Sequence, residues 1–137
     1  MLNIFPDLLF LQLLSPFMLR IAVGIMLFWI GYSYLLRDRE TVVAQLSSKW
    51  PKCAPYFVPF GGVFYMITGI FLIAGLYTQG AAIAGILIAI DALFVKFLYK
   101  DLDKVAEYSK MFYILILIIS LSLLFSGAGA FAIDLPL

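Results

Sequence analysis

Residues 80–99 read GAAIAGILIAIDALFVKFLY, an apolar run that is long enough to cross a bilayer as a helix. About 20 residues at ~1.5 Å each span the hydrocarbon core. Asp91 is the only carboxyl in this run. A charge at that depth is costly when it is left alone, so such a residue is usually neutral, paired or turned to the bundle interior. The sequence therefore predicts a membrane-spanning helix that carries one polar group.

A stripe of small residues runs along one side of the same helix. Ala81, Gly85, Ala89 and Ala92 recur at helical spacing, and small residues let a neighbouring helix approach closely where lipid supplies no hydrophobic drive. At 100° per residue, Asp91 lies on the flank of this stripe. The helix is therefore expected to have a packing face and a separate polar face, an offset that also permits a homo-oligomer.

The composition identifies a membrane protein and excludes several functions. Of 137 residues, 65% are hydrophobic and 12% are charged, and the mean hydropathy is +1.10, whereas soluble domains are about half apolar. The net charge is only +1 and the basic residues are not clustered into a stripe, so nucleic acid is not an expected partner. With no histidine and Cys53 as the only cysteine, no metal site, haem site or disulfide is predicted.

The hydropathy pattern predicts an all-α fold, an integral membrane bundle of four transmembrane helices in a single domain, residues 1–137. A short interfacial helix is expected within residues 1–15, or else a continuous extension of the first span. A second interfacial helix is expected in the polar loop after that span, where Val42, Leu46 and Trp50 recur at helical spacing. The predicted spans are residues 17–36, 56–78, 80–99 and 111–126.

Connections and charges predict how the spans are arranged. Only Gln79 and Gly80 separate the second and third spans, so these two helices must be antiparallel neighbours. The loops after the first and third spans carry most of the lysines and arginines, which predicts cytoplasmic loops and both termini outside the cytoplasm. Lys96 is placed to reach the second of these loops.

Glycines seven residues apart predict a second close helix contact. Gly24 and Gly31 share a face of the first span, and Gly62 and Gly69 share a face of the second. Glycine at such positions lets two backbones approach each other in a membrane.

Five residues are candidates for a ligand site, with Asp91 as its polar centre. It is interpreted either as a proton relay or polar contact for a quinone or lipid, or as a protonated carboxyl that hydrogen-bonds Tyr65 or Thr68 and holds the helices in register. Because the second and third spans run in opposite directions, Tyr65 and Thr68 come to the depth of Asp91. Trp29 and Tyr32 could line the same hydrophobic cavity, or could serve as packing and interface residues.

Arg20 and Asp134 are predicted to meet at the outer surface. Arg20 lies one turn inside the first span, near enough to the surface to extend to it. The pair would hold the C-terminal tail over the bundle, and the alternative is two independently solvated charges.

Several glycine-rich motifs in this chain resemble the DoxX family of small four-helix bacterial membrane proteins. They are LRIAVG at residues 19–24 with Gly31 seven residues later, the glycine pair at 61–62 followed by TGIFLIAGLYT at residues 68–78, and the closing SGAGAFAID at residues 126–134. The resemblance covers nearly the whole chain. Tyr34 stands where the family often has a lysine, and Gln79 where a basic residue is common. The resemblance implies a location in the bacterial or archaeal inner membrane.

Three functions follow from the residues and the resemblance together. The first is a non-catalytic subunit or scaffold that supports a redox or sulfur-metabolism partner, as some family members do. The second is the quinone-binding membrane subunit of a sulfur-compound:quinone oxidoreductase, with quinone near Asp91. The third is a small proton-coupled transporter that uses Asp91 as its protonation switch. No catalytic residue is predicted in the chain itself.

Overall fold

The computed structural model describes residues 9–98 and 108–126, which are helical with no strand among them. The predicted all-α class is confirmed. Three segments, Leu14–Arg37, Ala54–Ala74 and Thr78–Leu98, are long and apolar enough to cross a membrane, and Lys110–Ser126 is apolar but shorter. The helices are α1 (Leu9–Tyr32), which continues as a π-helical turn (Ser33–Arg37), α2 (Arg39–Ser47), α3 (Ala54–Ala74), α4 (Thr78–Leu98) and α5 (Lys110–Ser126).

Helix α1 begins before the predicted first span. Residues 9–15 belong to it without a break, and Pro16 lies inside the helix. For these residues the continuous extension is correct and the separate interfacial helix is wrong. Residues 1–8 lie outside the described part of the chain.

Paired glycines bring α1 and α3 into close contact. A Cβ atom added to Gly31 would lie 2.6 Å from the carbonyl oxygen of Gly62, and one added to Gly69 would lie 2.6 Å from the carbonyl oxygen of Gly24. The earlier glycine of α1 therefore meets the later glycine of α3, so the two helices are antiparallel. The contact that was predicted from the seven-residue spacing is confirmed.

The small-residue stripe of α4 packs against α5. Gly85 faces Ser120, whose Oγ would lie 2.8 Å from an added Cβ, and Ala89 and Ala92 are buried. At the other end of this contact, Lys96 Nζ donates a hydrogen bond to the carbonyl oxygen of Tyr108. Helices α4 and α5 are therefore antiparallel, and the stripe faces a neighbour within the chain.

The four long helices form a ring around one core. Helix α1 contacts α3 and α5, and α4 contacts the same two helices from the other side. The pairs α1–α3 and α4–α5 are the most extensive, while the short helix α2 packs on α3. Side chains at the centre are almost fully buried, among them Leu27, Ile30, Leu72, Ile116 and Leu123.

The turn between α3 and α4 lies at residues 75–77, earlier than the sequence predicted. Gly75 has φ 69° and ψ 33°, the left-handed conformation that commonly ends a helix. The amides of Gly75 and Leu76 then donate to the carbonyl oxygens of Leu72 and Phe71. Gln79 and Gly80 belong to the first turn of α4, so their predicted role as the connection is wrong. The antiparallel arrangement still follows from the shortness of the turn.

Gly75→Ala is expected to lower the free energy of unfolding by about 1–2 kcal/mol, because a left-handed backbone brings Cβ too close to the following carbonyl oxygen. Unfolding of the purified protein in mixed micelles, followed by circular dichroism, measures the change. Gly80→Ala is the matched control, since its added Cβ lies 4.0 Å from the nearest side-chain atom within a helix. Equal stability of the two variants would contradict the requirement for glycine at the turn.

Candidate ligand-binding cavity

A cavity of about 670 Å³ opens between α3 and α4. Its walls come from residues 54–65 of α3 and 87–95 of α4, which are the parts of these helices far from their connecting turn. The two helices therefore diverge from the turn and leave space between their other ends. Cavities that hold small molecules typically enclose roughly 300–1,000 Å³, so this one has the size of a ligand site.

Seven aromatic side chains line the cavity. The rings of Tyr34 and Tyr65 lie against each other with centroids 5.5 Å apart. This contact connects the π-helical turn after α1 to α3. Other rings come from both long helices and from the segment after α2. The aromatic lining residues are Tyr34, Trp50, Phe57, Phe60, Phe64, Tyr65 and Phe94.

The π-helical turn at the end of α1 positions Tyr34. The amide of Asp38 donates to the carbonyl oxygen of Ser33 at 2.8 Å, the wider spacing that defines a π-helix. Within this turn Leu35 packs on Gly62 while Tyr34 faces the cavity. Sequence reasoning missed Tyr34 as a site residue, because nothing local in SYLLR distinguishes a π-helical turn from an α-helical one.

Helix α2 closes one end of the cavity. Val42 is 1% exposed, and Val42, Leu46 and Trp50 all line the cavity. A helix in this loop is confirmed, but it ends at Ser47, before Trp50, and its Val42 and Leu46 side chains face the protein. The expectation that the apolar side of this helix rests on the membrane surface is therefore wrong for Val42 and Leu46.

Asp91 and Tyr65 both line the cavity. Thr68 is also buried, but its Oγ1 donates to the carbonyl oxygen of Phe64 at 2.8 Å. The hydroxyl proton of Thr68 is therefore donated within α3, and the predicted hydrogen bond from Thr68 to Asp91 is wrong. In the described part of the chain, no hydrogen bond or ion pair engages the Asp91 carboxyl. The hydrogen bond that the sequence predicted from Tyr65 to Asp91 is therefore also not formed in the described part of the chain.

Trp29 and Tyr32 lie on the outer surface of α1, away from this cavity. Their side chains are 53% and 41% exposed, and their ring centroids are 6.2 Å apart. Neither lines the cavity. Their placement suits the alternative that the sequence offered, an aromatic pair at a membrane interface.

Arg20 is buried within the helix bundle. Its side chain is 1% exposed, and its Cζ lies 5.4 Å from the ring centroid of Phe17. The side chain is therefore shielded from solvent, and its pairing with Asp134 stays a prediction. Its predicted partner, Asp134, lies outside the described residues.

The fold and the cavity define a class: a small all-helical protein with helices of membrane-spanning length and an aromatic pocket that contains one carboxyl. Within residues 9–98 and 108–126, no group of three histidine, cysteine, aspartate or glutamate side chains could hold a metal ion. Comparison with protein-family models, curated proteins and solved structures finds no match to this chain. The DoxX resemblance therefore rests on the quoted motifs alone.

Proposed function

We propose that this chain is an integral membrane protein of DoxX type with four spans, and that it binds a lipophilic small molecule in the α2–α3–α4 cavity without catalysis of its own. Helix α5 would be the fourth span. Its 17 residues extend about 26 Å. A bilayer can thin locally around a span of this length, or residues that flank the span can extend to the membrane interface.

The distribution of charge supports an inner-membrane orientation with both termini outside the cytoplasm. Arg37, Arg39 and Lys49 lie near α2, and Lys96 and Lys110 lie at the same end of the bundle. Positive residues concentrate on the cytoplasmic side of membrane proteins. The cavity mouth near α2 would then face the cytoplasmic leaflet.

The observation that carries the proposal is the carboxyl of Asp91 in an otherwise apolar and aromatic cavity of ligand size. An ionisable side chain within a membrane-spanning helix marks a functional site by default. A few polar groups in an apolar pocket also orient a bound molecule. Asp91 and Tyr65, which both line the cavity, supply those groups here.

Quinone is the ligand that the resemblance suggests, and one observation favours it as a second candidate. The hydroxyl of Tyr65, a residue that lines the cavity, can donate to a quinone carbonyl, while the aromatic rings pack on the quinone ring. In that case a redox partner protein would supply the electrons. The scaffold role for such a partner is supported by the sequence alone, through the resemblance and the absence of histidine. Co-purification of a redox enzyme with the tagged chain would test that role.

Filling the cavity tests ligand binding directly. Gly61 lines the cavity, and a Cβ added there meets no atom within 4 Å. Gly61→Phe is therefore expected to fold normally while its ring occupies the ligand space. Purification in a mild detergent, followed by organic extraction and mass spectrometry, should find a bound lipophilic molecule in the wild type and at least a fivefold loss in the variant, roughly 1 kcal/mol of binding.

Val63→Phe is the matched control, because Val63 lies two residues away on the exposed side of α3 and does not line the cavity. This variant should keep the wild-type amount of the bound molecule. An empty wild type, or equal loss in both variants, would refute the proposed binding function.

A further inference from the structure

The charges around the cavity distinguish among the ligands that it could hold. Among the described residues that line it, Asp91 is the only charged one, and none is a lysine or an arginine. A negatively charged ligand would meet a carboxyl without a compensating cation. The lining therefore discriminates against anions.

When the Asp91 carboxyl is ionised, its position requires a counter-charge from outside the protein. Asp91 lies seven residues before the end of α4, about 10 Å along the helix axis. At that depth water does not fully solvate a charge, so ionised side chains are normally paired. No ion pair or hydrogen bond to its carboxyl is found among the described residues. The predicted donor Thr68 is bonded within its own helix.

The aromatic wall supplies the second half of a cation site. Faces of tyrosine, tryptophan and phenylalanine attract organic cations through the ring quadrupole, and this attraction is stronger where water is excluded. Tyr65 of α3 and Phe94 of α4 come from opposite walls, and Trp50 closes the end near α2. A cation between them would be close to both the rings and the carboxyl.

We propose that the cavity binds a lipophilic organic cation, such as a quaternary ammonium, a phosphonium or a protonated hydrophobic amine, with Asp91 as its counter-ion. This inference rests on the proposed binding function and names the chemical class of its ligand. Asp91 neutralises the positive charge, and the aromatic side chains cover the apolar groups. A neutral quinone would leave the carboxyl without a counter-charge.

Tetraphenylphosphonium and tetraphenylborate make a matched pair of probes, since they share size and shape and differ in the sign of their charge. Trp50 in the cavity wall reports binding by fluorescence quenching once the only other tryptophan, Trp29, has been replaced by phenylalanine. In detergent micelles, the phosphonium is expected to bind the Trp29→Phe protein about tenfold more tightly than the borate, because the Asp91 carboxylate attracts the first probe and repels the second; a tenfold preference corresponds to about 1.4 kcal/mol. Asp91→Asn should remove this preference.

Equal binding of the two probes, or a preference that survives in Asp91→Asn, would overturn the cation site. The comparison of probes in the protein with Asp91 intact decides the question even when Asp91→Asn fails to fold. If that comparison shows no preference while Gly61→Phe still expels a bound molecule, the ligand class is wrong and the binding function stands. If neither probe quenches Trp50 and extraction finds no ligand, both proposals fail.

Discussion

Gly69→Ala is expected to destabilise the protein by about 1–3 kcal/mol, the range found when a methyl group is forced into a closely packed contact. The added Cβ would lie 2.6 Å from the carbonyl oxygen of Gly24 and 2.8 Å from the amide nitrogen of Phe28. Both are backbone atoms of α1, so no rotamer change relieves the clash. The helices must separate instead, which also loosens the contact between Gly31 and Gly62. Reversible unfolding in mixed micelles measures the effect.

Gly61→Ala is the control for this prediction, since it adds the same methyl group to the same helix, where nothing lies within 4 Å. It should be neutral or slightly stabilising, because alanine loses less conformational freedom than glycine in a helix. If Gly69→Ala unfolded at the same denaturant concentration as Gly61→Ala, the close α1–α3 contact would be refuted. A decrease confined to Gly69→Ala would confirm it.

The helix pairing was predictable because the sequence marks it directly. In a membrane, helices associate mainly through packing, and glycines or alanines on one face show where a neighbour approaches. The spacing of Gly24 and Gly31 and the stripe that contains Gly85 both predicted real contacts. The glycine face of α1 also indicates on which side of the helix Trp29 lies. Trp29 lies five residues after Gly24, about 140° around the helix, so it was already placed on the outer side.

The cavity was only partly predictable. The antiparallel arrangement of α3 and α4 was predictable because the turn between them is short, and Asp91 and Tyr65 both line the cavity between these helices. The divergence of these helices and the π-helical turn that positions Tyr34 depend on packing between distant segments, which leaves no periodic pattern.

The contact between α4 and α5 gives the second large prediction. Gly85→Ala is expected to cost about 1–3 kcal/mol of unfolding free energy, because the added Cβ would lie 2.8 Å from Ser120 Oγ. Ser120 is fully buried, and in the described part of the chain its Oγ has no hydrogen-bond partner. Ser120→Ala should therefore be neutral or slightly stabilising, since it removes an unsatisfied buried hydroxyl.

The double variant Gly85→Ala/Ser120→Ala is expected to recover most of the loss. Without the hydroxyl, the nearest Ser120 atom to the new methyl group is Cβ at 3.5 Å, an ordinary contact distance. The unfolding free energies of the wild type, both single variants and the double variant form a cycle, and its coupling energy should be about 1–2 kcal/mol. If Ser120 rotates away at no cost, Gly85→Ala alone will be neutral and the coupling will vanish. A nonzero coupling would show that Gly85 and Ser120 share one contact, as the packing of α4 on α5 requires.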